Sequence, residues 1–171
     1  MSAARETAPK PCVPLHATAI ALESGGGYPE PFQSRMGEGH WRRLGDAFGL
    51  TQFGISLETL QPGAQSALRH WHTLTDELVY MLEGTVTLHT NAGASVLTAG
   101  MCVGFKAGVP DAHHLVNDSA APASYLVMGS RVPGDNAFYP DDDVLWVETA
   151  EGHYPAHKDG RPYWLPGQRP T

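Results

Sequence analysis

The chain is poor in charge: only 17% of its residues are Asp, Glu, Lys or Arg, and acids outnumber bases 18 to 11 for a net charge of −7. No basic face can be assembled from that balance, which excludes nucleic acid as a partner. The acidic surplus also argues against docking on an anionic membrane. Cysteine is nearly absent. Cys12 and Cys102 cannot make a disulfide framework, and their spacing fits no zinc knuckle. Reduced thiols and a cytoplasmic location follow as expectations, with Cys102 in the apolar run MCVGF read as packing. No stretch reaches the roughly 18 apolar residues of a membrane span. The start, MSAARETAPKPCVP, lacks the apolar core of a secretory leader. No window of useful length carries the i, i+3, i+4 stripe of an amphipathic helix.

Turn formers are plentiful instead. Nineteen glycines and fourteen prolines in 171 residues exceed the roughly 12% of average usage. That composition favours short strands and tight turns, and the length suits one domain. From residue 51 the apolar period becomes two. In TQFGISLETL, Phe53, Ile55 and Leu57 alternate with Gln52, Gly54, Ser56 and Glu58, a half-buried strand whose apolar side is expected to face the core. Further strands are predicted at 67–72, 77–83, 85–90, 94–98, 101–106, 112–117 and 122–129, separated by turns such as NAG and SAAPA. Regular short strands of this kind predict an all-β antiparallel sandwich or barrel. The expected layout is a flexible terminus over 1–12, an arm over 13–45, a barrel over 46–131 and an irregular extension over 132–171.

One stretch resists that plan. Residues 69–84 read RHWHTLTDELVYMLEG. On a strand, i and i+2 share a face, so Leu68, His70 and His72 point one way. In the next strand Glu77, Val79 and Met81 share one face, and Leu78, Tyr80 and Leu82 the other. A lone strand histidine is usually an ordinary core or surface residue. Two imidazoles and a carboxylate turned inward are costly without partners, and a metal offsets those costs together. A third imidazole is available in DAHHLVN, from His113 or His114. Three imidazoles and a carboxylate suit a divalent transition metal with open positions. Leu68, Val79, Met81 and Leu115 are expected to line a mostly apolar pocket beside it.

The order Pro62-Gly63, His70-x-His72, Glu77, Gly84 resembles the first cupin motif. Gly100, then FKAG over 105–108, His113 and Asn117 resemble the second. Most of the chain is similar to a group of small bacterial single-domain cupins. The resemblance implies a double-stranded β-helix, a jelly-roll-like barrel, with metal ligands at His70, His72, Glu77 and His113. Two departures stand out. Lys106 occupies the usual proline position of the second motif. Asp111 and Ala112 are extra before His113, and a bulge there would turn His114 inward instead.

An apolar outward face at Leu78, Tyr80 and Leu82 is unusual for an exposed sheet, so the arm, the extension or a second subunit must cover it. A homodimer is expected, as is common among cupins, with Trp71 on the same outward side as interface or core. His89 is read as solvent-facing, with a barrel-lining role as the alternative. Asp141, Asp142 and Asp143 read as a solvated acidic turn, because Ca²⁺ loops need more regularly spaced ligands. His153 and His157 are read as bland tail residues.

Function then rests on the metal. With iron, two open positions would take a substrate and O₂. With zinc, manganese or nickel, the metal would be a Lewis acid, and the chemistry would need a base from Asp111, His114 or His89. The alternative is a non-catalytic module that binds or senses a sugar or organic acid. The expected partner is thus a small molecule, and an organic acid or aromatic fits an apolar pocket as well as a sugar does.

Overall fold

The structure, a computed structural model, describes residues 13–149, 152–165 and 168. The flexible terminus expected over 1–12, with Cys12, lies outside them. The described chain is nearly all β. Its strands are β1 (Glu23–Ser24), β2 (Gly39–Arg43), β3 (Phe53–Leu60), β4 (Trp71–His72), β5 (Glu77–Glu83), β6 (Thr85–Thr90), β7 (Gly93–Thr98), β8 (Cys102–Phe105), β9 (His114–Val116), β10 (Ala123–Ser130), β11 (Ala137–Phe138), β12 (Leu145–Thr149) and β13 (Gly152–Ala156). One α-helix, α1 (Leu44–Ala47), follows β2. No described helix is long and apolar enough to cross a membrane.

Two sheets build the body. One runs β1-β2-β3-β10-β5-β8 and the other β7-β6-β9. All the pairings are antiparallel. A tight corner carries the chain from β5 in the large sheet to β6 in the small one, and a hairpin connects β6 to β7. Val79, Met81, Tyr125 and Leu60 from the large sheet meet Val86, Leu88, Leu97 and Leu115 from the small one in a common core. This is the antiparallel two-sheet arrangement that the turn-rich sequence predicts, and it is consistent with the jelly roll that the cupin resemblance implies. Burying each such side chain stabilises the fold by about 1.5–3 kcal/mol.

The strand pattern of β5 is as read from the sequence. Val79 and Met81 are buried, and Leu78, Tyr80 and Leu82 face out. In β3 the facing is reversed. Leu60 is buried and Glu58 hydrogen-bonds the buried Tyr125, so the inner row is Gly54, Ser56, Glu58 and Leu60. Ile55 and Leu57 lie on the outer side beside Met128 and Leu126. The error has a physical cause: this sheet is apolar on both faces, so the more apolar row of β3 does not mark the inside. Cys102 is also turned outward and exposed, because Val103 and Phe105 pack against the core.

The segment 13–45 supplies β1 and β2, an added edge for the large sheet. A second cluster ties it to the C-terminal extension: Phe32 and Met36 pack with Leu68, Tyr139 and Val144. Gly84 turns the β5–β6 corner at φ 77°. A side chain there would meet the carbonyl of Pro122 at 2.7 Å.

Candidate metal centre

Three elements deliver the site. His70 stands just before β4 and His113 just before β9, and their backbones pair. His70 N–H donates to the His113 carbonyl at 3.1 Å, and His113 N–H to that of His70 at 2.8 Å. Glu77 opens β5 on its inward row. Its Oε1 lies 3.2 Å from Nε2 of His113. The rings of His70 and His113 are 5.0 Å apart, and ligand atoms of His70, Glu77 and His113 all fall within 4.8 Å of one another. Two ligands bound at right angles, each about 2.1 Å from a metal, would sit about 3 Å apart. The Glu77–His113 spacing matches that.

The tautomers suit the same purpose. His70 donates from Nδ1 to the Leu68 carbonyl at 2.8 Å. His72 donates from Nδ1 to Oδ2 of Asp135 at 2.6 Å. In a neutral ring each bond leaves the Nε2 lone pair available, as in metal-bound imidazoles with an anchored second nitrogen. His113 is buried, and its Nδ1 has no partner, so the hydrogen bonding of the ring is confined to Nε2. These N and O donors fit a divalent transition metal.

Electrostatics keep His70 and Glu77 in ligating form. Burial, helped by the charges of His113 and His72, pushes His70 down to about 4 against the pull of Glu77. It is therefore neutral near pH 7. Burial pushes Glu77 up, but the hydrogen bond and charge of His113, with His70 and His72, outweigh it and hold the carboxyl low. Asp135 is also raised by burial, yet the Leu74 N–H and the His72 and Thr75 contacts bring it down to about 2. Its Oδ1 accepts from Thr73 Oγ1 and from the Leu74 and Thr75 N–H groups at 2.7–3.2 Å.

His72 stands slightly apart. Its ring is 5.0 Å from that of His70, but it is not in the group of three within ligand distance. Asp135 holds its Nδ1. Nothing in the sequence marked Asp135: it sits in the turn VPGDN, where an aspartate ordinarily serves only the turn.

A cavity of about 200 Å³ adjoins the group, lined by Trp71, His72, Glu77, Phe105, Lys106 and Asp111 among others. Phe105 stacks on His113 with ring centres 3.4 Å apart. The apolar lining expected from Leu68, Val79, Met81 and Leu115 is not observed. All four are packed in the two cores, and the cavity wall is aromatic and charged instead. Trp71 lies against Phe138 at 4.9 Å and lines the cavity, so it is not part of the outer sheet face.

His113 and Leu115 are buried together. His114 points away, bonding the Ala67 carbonyl and meeting the ring of His89 at 5.1 Å. Of the three base candidates named from the sequence, Asp111 lines the cavity and His114 and His89 do not. The run Asp141–Asp143 is not a freely solvated turn. Its carboxylates diverge to Arg69, Arg35 and His157, so no cation site forms. His157 also stacks on Tyr163, and His153 lies against Trp146.

Comparison with known proteins agrees with this geometry. The model of the cupin domain matches residues 56–129. The chain is similar to the crystal structure of a cupin-superfamily sugar phosphate isomerase from Silicibacter pomeroyi, with 39% identity over 91% of this chain and 99% of that one and a TM-score of 0.83. A structure from Acidithiobacillus ferrooxidans is 28% identical over 75% of this chain and 81% of its own, with a TM-score of 0.65. The polyketide cyclase RemF from Streptomyces resistomycificus shares the fold at 19% identity over 72% of this chain and 82% of its own, TM-score 0.57. No curated protein matches the chain. The two-sheet fold, the paired motifs and the relative from S. pomeroyi show that this chain belongs to the cupin superfamily.

Proposed function

We propose that this cupin is a metal-dependent enzyme for a small hydroxy-carbonyl compound, of the sugar phosphate isomerase kind. His70, His72, Glu77 and His113 are the ligands in this reading. The carrying observation is the Glu77–His113 pair beside His70, with Nδ1 of both His70 and His72 already anchored. A bound divalent ion would polarise the substrate carbonyl. Lys106 lines the cavity and provides an ammonium for an anionic end such as a phosphate. Asp111 lines it too and is steadied by the Asn91 N–H at 2.8 Å, so it is placed to move a proton. A cavity of about 200 Å³ suits a short substrate. The S. pomeroyi relative favours this reading over oxygenation.

The test is metal analysis of untagged protein, followed by assays with aldose and ketose phosphates in the presence of Zn²⁺, Mn²⁺, Ni²⁺ or Fe²⁺. Turnover that is lost in His70→Ala, with a raised KM in Lys106→Ala, supports the proposal. Bound metal without turnover of any substrate would favour a binding or sensing role.

The outer face of the large sheet supports a homodimer. Leu78, Tyr80 and Leu82 are 40–45% exposed beside Leu126, Met128, Ile55 and Leu57. Among the described residues, the arm and the extension leave them uncovered, so a second copy is the proposed cover. Exposed, unpaired Cys102 suits the reducing cytoplasm.

A further inference from the structure

Asp111 and Ala112 are extra to the spacing of the second motif, yet His113 still faces inward beside Glu77. The added length is absorbed just before it. The Asp111 N–H donates back to the Val109 carbonyl at 2.8 Å, a three-residue turn that takes up the slack. The chain then enters the bridge between His113 and His70 in register.

Two polar residues hold this turn from outside the cavity. Asn91 lies between β6 and β7. Its N–H donates to Asp111 Oδ1 at 2.8 Å, and its Nδ2 donates to the Pro110 carbonyl at 2.8 Å. Its Oδ1 accepts from Arg69 Nη1 at 2.5 Å. The same Nη1 donates to the Ala112 carbonyl at 3.1 Å. The rest of the guanidinium grips Asp141 with two bonds, at 2.6 and 3.0 Å. One planar fork thus joins the β6–β7 turn, the 110–112 segment and the C-terminal extension, which the point charge of a lysine cannot do. Pro110, Asp111 and Ala112 are each held by Asn91 or Arg69. Neither of these two lines the cavity at the metal centre, whereas Asp111 does. Asn91 is exposed and Arg69 half-buried, so the bonds add little to the core. What they fix is the place of the Asp111 carboxylate. One of its oxygens takes the Asn91 N–H, and the other is left for a proton.

We infer that Arg69 and Asn91 are positioning residues that act through Asp111, holding it where proton transfer to and from the substrate can occur. The inference rests on the isomerase reading of the site. In an aldose–ketose interconversion the base takes the proton from the hydroxyl-bearing carbon and returns it to the former carbonyl carbon. The hydroxyl proton passes to the other oxygen, so none is gained or lost. The base therefore serves two adjacent carbons in turn, each within about 3 Å. A displacement of about 1 Å costs on the order of 100-fold in rate.

The test is steady-state kinetics of the metal-loaded full chain with three- to five-carbon aldose and ketose phosphates. Asn91→Ala keeps its N–H and removes only the two side-chain bonds. It and Arg69→Met should each lower kcat at least about tenfold, with KM and metal content within about twofold of wild type. Asp111→Asn should lose about 100-fold or more. Adding Asn91→Ala to it should cost nothing further, because a residue acting through Asp111 has no second route. Exchange of the Asn91 amide hydrogen reads the contact without substrate, and should be at least about tenfold faster in Asp111→Ala than in wild type. Additive losses in the double variant, or wild-type kcat in Asn91→Ala where Asp111→Asn is inactive, would overturn the positioning role and leave the isomerase reading intact. Metal loss in Asn91→Ala would make Asn91 a support of His113 instead. Full activity of Asp111→Asn would remove the base. An inactive wild type would sink the isomerase reading and this role with it.

Discussion

Replacing Glu58 with glutamine should flatten the dependence of stability on pH. The folded protein holds the Glu58 proton up to about 7, against an ordinary 4.5. Burial is the largest cause, the field of Glu77 adds to it, and the Tyr125 hydroxyl and Arg43 oppose it. A raised folded-state value means that the proton stabilises the fold. This stability is fully present below 4.5 and is lost as pH rises through 7. At about 1.4 kcal/mol per pH unit, the loss is at most about 3 kcal/mol, and water entering the cavity that Glu58 lines reduces it. Glu58→Gln keeps the shape and still accepts from Tyr125. Every other titrating group is common to both proteins and cancels in the difference. Urea unfolding at pH 4.5, 6 and 8 should show the wild type losing about 1–3 kcal/mol relative to the variant across that range. Parallel stability curves would refute the assignment of Glu58 to the buried inner row of β3.

Asp135→Asn should weaken metal binding about 10- to 100-fold by releasing His72 from its fixed tautomer. Chelator competition measures this, and unchanged affinity would show that His72 needs no anchor. Gly84→Ala should destabilise by more than about 2 kcal/mol, because a left-handed φ and backbone atoms of Pro122 and Ala123 under 3 Å away combine strain with a clash. A melting temperature within a degree of wild type would contradict the β5–β6 corner described here. Tyr80→Lys with Leu82→Lys should convert the proposed dimer to monomer. Sedimentation of the wild type at the mass of one chain would remove the dimer.

The strand positions were legible in the sequence because the period-two pattern and the Gly-containing turns agree. Predicted strands at 77–83 and 85–90 coincide with β5 and β6. Less of 67–72 forms a ladder: only Trp71 and His72 pair as a strand, because Leu68 is drawn into the second core. His70, Glu77 and His113 were legible because inward imidazoles and a carboxylate conflict with a sheet core. The second motif selects His113 over His114 from its place before Asn117 and Leu115, and in the structure His113 is the one whose backbone bridges to His70. Asp135 was not legible as a site residue, nor Glu58 as a buried one. One lies 63 residues from His72 in a turn, and the other sat on the supposedly solvent-facing row of β3. The pocket lining was misjudged for a related reason: inward-pointing residues such as Met81 close the core completely, and the cavity forms instead from the loops at its end.

The most direct test of the metal centre is elemental analysis of untagged wild type, His113→Ala and His114→Ala, purified side by side without chelator. His113 is buried against Glu77, whereas His114 faces His89. Near-stoichiometric divalent metal is expected in wild type and His114→Ala, with at least a tenfold loss in His113→Ala. Equal metal content in the two variants, or loss in His114→Ala alone, would contradict the site built on His70, Glu77 and His113.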